Sequence, residues 1–266
     1  MTTAVQPAPG GTSEVRIPMW QPAAEVAEAL GWSAAIFGYP GAGKTTFAAV
    51  KGSLVVDFEQ GAEVLADRTD VMVWPRRDPN TGKIPAVKWE DFMQLDRQLR
   101  SGNHPFRVLC FDTITAAQRL TLDNVMRSSP TPSQPSQPEW GKSNDLLLDV
   151  VRHWSALAKT TGVNVIFNVH AQDVVDDNGN SVLIRMNLTP GVIKGVIETV
   201  SAIGYIAEGA NGKRRLLLHN TNKVTAKFRQ PRSGPQLDLE IDDPSLETIL
   251  THRENARAAL KKARSK

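Results

Sequence analysis

The stretch Gly38-Tyr-Pro-Gly-Ala-Gly-Lys-Thr45 decides the fold. It has the spacing G-x-x-x-x-G-K-[ST], and it lies between an apolar run, Ser33-Ala-Ala-Ile-Phe37, and a segment of helical character, Thr45 to Val50. A strand that ends in a glycine-rich turn and restarts as a helix lets backbone N–H groups curl around an anion with no Cβ in the way. The start of the helix adds partial positive charge. Lys44 has the reach for β- and γ-phosphates, and the Thr45 hydroxyl suits magnesium. The segment therefore reads as a phosphate-binding loop for a nucleoside triphosphate, ATP with magnesium. Gly38, Pro40, Gly41, Ala42, Gly43, Lys44, Thr45 and Thr46 are expected to hold it.

Outward from this loop, short apolar runs alternate with helical patterns. Leu54-Val-Val-Asp-Phe58, Val71-Met-Val-Trp74, Val108-Leu-Cys-Phe-Asp112 and Val163-Asn-Val-Ile-Phe-Asn-Val169 read as buried strands. Trp89 to Arg100, Thr113 to Arg127 and Ser143 to Thr160 read as helices. This alternation predicts an α/β fold, a mostly parallel sheet covered on both faces. Two further runs, Val200 to Ala207 and Arg214 to His219, flank Gly209-Ala-Asn-Gly212 and predict a hairpin. Asp243-Pro244, with Glu247 in the first turn, predicts the start of a C-terminal helix. Residues 128 to 138, SSPTPSQPSQP, read as a loop without an apolar anchor. Residues 171 to 195 read as a second variable region, with a turn at Asp176-Asp-Asn-Gly-Asn180.

The chain has 266 residues, room for one sizeable domain with short extensions. The expected division is a flexible N-terminal extension over 1–30, with a helical candidate at Ala23 to Leu30, a core over 31–230, and a C-terminal extension over 231–266. The first residues lack a cationic stretch followed by an apolar one, so they do not read as a secretory signal. The single cysteine, Cys110, excludes an internal disulfide and fits a reducing cytoplasm. No run approaches the ~20 apolar residues of a membrane span. Net charge is only +3, too mild to establish a polyanionic partner. The basic excess gathers at the C-terminus, where Arg253, Arg257, Lys261, Lys262, Arg264 and Lys266 face one acid, Glu254.

Several side chains at strand ends can carry chemistry. Asp112 closes a core strand, where a carboxylate can hold magnesium through water or cap the helix that follows. Glu59 ends the strand beside it and can orient an attacking water, with Asp57 as the competing acid. His170 follows Val163 to Val169 and can sense a γ-phosphate, or serve only structure. Lys227 and Arg229, at alternate positions of Thr225-Ala-Lys-Phe-Arg229, share a face of an extended segment. Two cations there can stabilise phosphoryl charge in a neighbouring subunit or form a solvated strand face. The five histidines show no zinc spacing with Cys110.

In its order of motifs the chain resembles the RecA-type ATPase core, and more closely the compact phage RecA/RadA-like single-strand annealing ATPases. The resemblance is carried by the phosphate loop, Val56-Asp-Phe-Glu59, Phe111-Asp-Thr-Ile114 and Phe167-Asn-Val-His170, and it covers about residues 31 to 230. It implies that Glu59 is the catalytic glutamate, Asp112 the magnesium-associated aspartate and His170 the γ-phosphate sensor. It also implies that Lys227 and Arg229 reach the adjacent subunit's ATP site. By the same resemblance, loops 128–142 and 171–195 face single-stranded DNA in a homo-oligomeric ring or filament in a bacterial cytoplasm, with a single-strand DNA-binding protein as a further partner. The second loop carries only Arg185 and Lys194 as cations and no aromatic residue; the first offers Trp140 and Lys142, with Glu139 against them. The function implied is ATP-dependent pairing or annealing of single strands. A helicase or helicase loader, a small-molecule or nucleotide kinase, and a nucleotide-gated binding module share the same core chemistry.

Overall fold

The computed structural model describes residues 31–129, 134–209, 212–230 and 235–264. The expected N-terminal extension with its helix at Ala23 to Leu30, residues 130–133 of the Pro/Ser/Gln segment, two residues of the hairpin turn and Lys266 lie outside them.

The central sheet grows from the strand that precedes the phosphate loop, β1 (Ser33–Gly38). On one side lie β5 (Asn164–Val175), β4 (Val108–Asp112), β2 (Ser53–Asp57) and β3 (Met72–Trp74), all parallel. On the other side β7 (Ala202–Glu208) is parallel to β1, and β8 (Arg214–Leu217) and β10 (Glu240–Asp242) continue antiparallel. Alternation along the strands feeds two cores. Ala35, Phe37, Leu109 and Phe111 face one side, and Ala34, Ile36, Val108 and Cys110 the other.

The first face is covered by α2 (Trp89–Arg100), α3 (Ile114–Met126), α4 (Gln137–Thr161) and α5 (Pro190–Thr199), which contribute Phe92, Ile114, Trp154 and Val196. The second is covered by α1 (Lys44–Ala48), a 3-10 turn at Ala62–Leu65 and α6 (Leu246–Arg264), through Phe47, Leu65 and Ile249. A mostly parallel sheet covered on both faces is thus the architecture, and the predicted β7–β8 hairpin is part of that sheet. The C-terminal segment joins this core: β10 pairs with β8, and Leu246 and Ile249 of α6 are fully buried.

Two segments read as loops are regular. Residues 137–142 form the first turns of α4, not a loop. Ser136 and Glu139 make a capping box, with the Ser136 N–H donating to the Glu139 carboxylate at 2.6 Å, and a proline in the first turn is tolerated because its missing N–H would have no helical partner. Residues 171–195 are likewise not an open loop. β5 runs on to Val175, turns at Asp176–Asn180, and pairs antiparallel with β6 (Ser181–Met186), and α5 follows. The hairpin is half solvated, so it lacks the continuous apolar run that marks the core strands.

Candidate nucleotide site

The register brings the polar strand ends together. Gly38 pairs with His170 across β1 and β5, and Asp57 pairs with Asp112 across β2 and β4, all at the carboxyl edge of the sheet. In parallel α/β sheets this edge is where ligands bind. A cleft of about 490 Å³ opens there, and Lys44, Thr45, Thr46, Glu59, Asp112 and His170 line it with Pro40, Gly41 and Gly43. Gly38 and Ala42 stand behind the loop and shape it: the Ala42 N–H donates to the Tyr39 carbonyl at 3.2 Å, and a Cβ on Gly38 would come within 2.4 Å of the Ile206 carbonyl oxygen. Gly43 has φ of +90°, a conformation that favours glycine. Because α1 has only five residues, its dipole is small, and anion binding here falls chiefly to loop N–H groups and Lys44.

Lys44 is buried, and its Nζ donates to the carbonyls of Gly38 and Tyr39 at 2.9 Å each. Burial lowers its pKa, while the charges of Asp112 and Glu59 work in the opposite direction. The ammonium is thus held at the loop by groups a polyphosphate can outcompete.

The Thr45 hydroxyl donates to Asp112 Oδ2 at 2.5 Å. Burial pushes the Asp112 carboxyl up, and nearby Asp57 adds to this, against hydrogen bonds from Thr45 and Asn168 and the charge of Lys44. Asp112 does not cap α3: Thr113 does, its hydroxyl accepting the Ala116 N–H at 3.2 Å. A hydroxyl and a buried carboxylate in contact fit magnesium, a hard cation that takes one or two protein oxygens together with phosphate oxygens and water. Among the described residues no cluster of three His, Cys, Asp or Glu side chains could hold a metal unaided.

The two acids at the end of β2 divide their work. Asp57 is buried, and its oxygens accept the backbone N–H groups of Glu59, Gly61 and Ala62 at 3.1, 3.2 and 2.8 Å. It fixes the turn. Glu59 faces the cleft and accepts from the Thr113 hydroxyl at 2.8 Å and from His170 Nε2 at 2.8 and 2.9 Å. Burial works to raise the Glu59 carboxyl, but these hydrogen bonds and the charge of Lys44 outweigh it, and the group titrates below its ordinary value. An ionised, oriented carboxylate of this kind can position a water.

Lys227 and Arg229 stand outside the cleft. Lys227 lies on a short strand, β9 (Lys227–Phe228), opposite Ile203 of β7, and its Nζ donates to the Ile197 carbonyl. Burial lowers its pKa, with Arg229 and Lys159 adding to the effect. Arg229 is exposed.

Two contributors were not singled out from sequence. Arg214, at the start of β8, lies over the loop: a Cβ on Gly43 would fall within 2.4 Å of its Nε. Asn168 is fully buried and hydrogen-bonded to Asp112. The polar Asn168 between Phe167 and Val169 was the available signal for the second; nothing in Lys213-Arg-Arg215 marks one arginine over its neighbours.

A family model described as an AAA domain matches residues 30–230. The chain belongs to the AAA domain family. The match spans the phosphate loop and every strand end just described, and it identifies a P-loop ATPase-type domain, a kind that binds a nucleoside triphosphate with magnesium. No curated protein matches the chain. Among the described residues of this AAA domain protein, no helix is long and apolar enough to cross a membrane.

Proposed function

We propose that this chain hydrolyses ATP and couples the cycle to single-stranded DNA, working as a homo-oligomer that promotes annealing or strand pairing. The observation that carries the DNA half is a second cleft of about 350 Å³, where Trp140 of α4 and Arg119 of α3 meet Gln172, Arg185 and Asn187 of the hairpin region. An aromatic ring beside two guanidiniums is the chemistry that takes a stacked base and the phosphates of a single strand. With the Gln172 amide assigned so that both ends are satisfied, it accepts from Arg185 at 2.7 and 2.8 Å and donates to Asn187 at 2.8 Å, which aims the Arg185 guanidinium.

One contact joins this cleft to the nucleotide site, and a second ties the phosphate loop to the hairpin. Thr115 lines the second cleft, and its hydroxyl accepts the His170 N–H at 3.0 Å. Tyr39 of the phosphate loop donates to Asp173 of the hairpin at 2.6 Å. In this account Lys44, Thr45 and Asp112 hold the triphosphate with its metal, Glu59 orients the attacking water, and His170 holds Glu59 and passes its state to β5. Magnesium supplies neutralisation of charge on the phosphoryl oxygens. Lys227 and Arg229 complete the site of a neighbouring subunit.

The test is anisotropy of a labelled oligothymidylate with Mg-ATP present. The wild-type chain binds it, and Trp140→Ala weakens binding by about 1–3 kcal/mol, the worth of one stacked base. Absence of binding, or an unaffected Trp140→Ala variant, would overturn the proposal.

A further inference from the structure

We propose that Arg214 grips, from within the same chain, the phosphates that ADP keeps after hydrolysis, and that this grip ties nucleotide occupancy to the C-terminal unit of β10 and α6. The proposal rests on the reading of the first cleft as an ATP site in which Glu59 faces the γ-phosphate.

The strand order brings Arg214 to the phosphate loop. β8 runs antiparallel to β7, and its first residue, Arg214, pairs with Glu208 at the end of β7, so it falls at the carboxyl edge of the sheet. The side chain lies across Gly43: a Cβ there would fall 2.4 Å from Nε and 2.7 Å from Cδ and Cζ. The loop passes beneath the guanidinium only because residue 43 has no side chain. Among the described residues no hydrogen bond or ion pair holds that guanidinium, although Glu208 stands opposite it in the strand pair. It lines the cleft together with Lys44, and its planar fork can give a phosphate two parallel hydrogen bonds.

The sheet decides which phosphates Arg214 meets. His170, Asp112 and Glu59 come from β5, β4 and the turn after β2, all to one side of β1; Arg214 comes from β8, to the other side. Neighbouring strands lie about 4.8 Å apart, so β2 and β8 are roughly 24 Å from each other, with the loop between them. The phosphate that water attacks lies toward Glu59. The end toward Arg214 therefore carries the α- and β-phosphates, both of which ADP retains.

The same strand holds the C-terminal unit. The Arg214 carbonyl accepts the Asp243 N–H at 2.8 Å, and Arg215 forms an ion pair with Asp242 of β10 at 2.9 Å. β10 leads into α6, whose Leu246 and Ile249 are fully buried. Arg214 thus touches the loop through its side chain and the C-terminal unit through its backbone. A phosphate that fixes the guanidinium restrains both.

The experiment uses the full chain and titrates ADP or the non-hydrolysable analogue AMP-PNP, each with magnesium, by calorimetry. Arg214→Ala should weaken both ligands about tenfold and leave their ratio within about threefold of wild type, and Arg214→Lys should recover part of the loss. Equal melting temperatures of the nucleotide-free chains exclude misfolding as the cause. Saturating ADP should slow amide exchange across residues 240–250 in the wild-type chain and fail to do so in Arg214→Ala. ADP affinity untouched by Arg214→Ala, whether or not AMP-PNP binding falls, overturns the inference, and so does equal protection of 240–250 by ADP in both chains. A wild-type chain that binds neither ligand overturns the reading of the cleft itself, whereas nucleotide binding that Arg214→Ala leaves intact removes this inference alone.

Discussion

Replacing His170 by alanine tests the proposed role of Glu59 most sharply. A carboxylate can only accept in this contact, so the ring donates through Nε2, at 2.8 and 2.9 Å from the two Glu59 oxygens. A hydrogen bond to a charged group is worth about 1.5–3 kcal/mol. If that bond holds Glu59 on the attacking water, its loss slows turnover by about tenfold to 150-fold. The pH profile supplies a second readout. Burial works to raise the Glu59 carboxyl, and the His170 bond is the foremost influence lowering it. The ionised form is the active one, so the rate falls as pH drops through this pKa. Without His170, burial is opposed only by Thr113 and Lys44, the pKa rises, and the acid limb moves to higher pH. Nucleotide affinity should hold, because Lys44 and the loop are untouched. Steady-state hydrolysis from acid to neutral pH measures both effects. An acid limb that does not move, with kcat within about threefold of wild type, would refute the reasoning.

Four further outcomes are expected. Asp112→Asn should abolish magnesium-dependent hydrolysis yet raise the melting temperature of the nucleotide-free chain at neutral pH. The folded carboxyl has its pKa raised, first by burial, so the folded state holds the proton more tightly and stability grows as pH falls toward the unfolded value; the asparagine variant should lose that growth in a pH-dependent melt. Arg214→Ala should weaken nucleotide binding about tenfold by equilibrium titration, since its guanidinium lies over the phosphate loop at Gly43. Lys227→Ala with Arg229→Ala should reduce hydrolysis and leave nucleotide binding by one chain nearly intact; unchanged turnover would remove the neighbouring-subunit role. Trp154→Phe should cost about 1–3 kcal/mol in urea unfolding, because Trp154 Nε1 donates at 2.7 Å to Asp96, a carboxylate 1% exposed.

The parallel core was legible because its strands are short continuous apolar runs that end on chemistry-bearing residues. Val108 to Asp112 is such a run, and β4 occupies those five residues. The same logic brought Lys44, Thr45, Glu59, Asp112 and His170 to attention, and they meet at one sheet edge because parallel strands deliver all their carboxyl ends to the same side. The hairpin β5–β6 was not legible, since a strand wet on one face spreads its apolar residues too thinly to stand out. The first turns of α4 were missed for another reason: Pro135 and Pro138 read as breakers, although Pro138 falls where helices accept proline. Trp140 therefore looked like a loop residue when it is fixed on a helix opposite Arg185. Arg119 and Arg214 lay beyond reach, because only the folded chain shows which of several arginines turn into a cleft.

ATP hydrolysis measured with and without single-stranded DNA is the most direct test of the proposed DNA-coupled ATPase. Two clefts joined by the His170–Thr115 contact should be energetically coupled. The expected result is a magnesium-dependent ATPase that single-stranded oligonucleotide stimulates and that Lys44→Ala abolishes. A chain that hydrolyses ATP at the same rate whether or not DNA is present, or that binds no nucleotide with Lys44 intact, would contradict it.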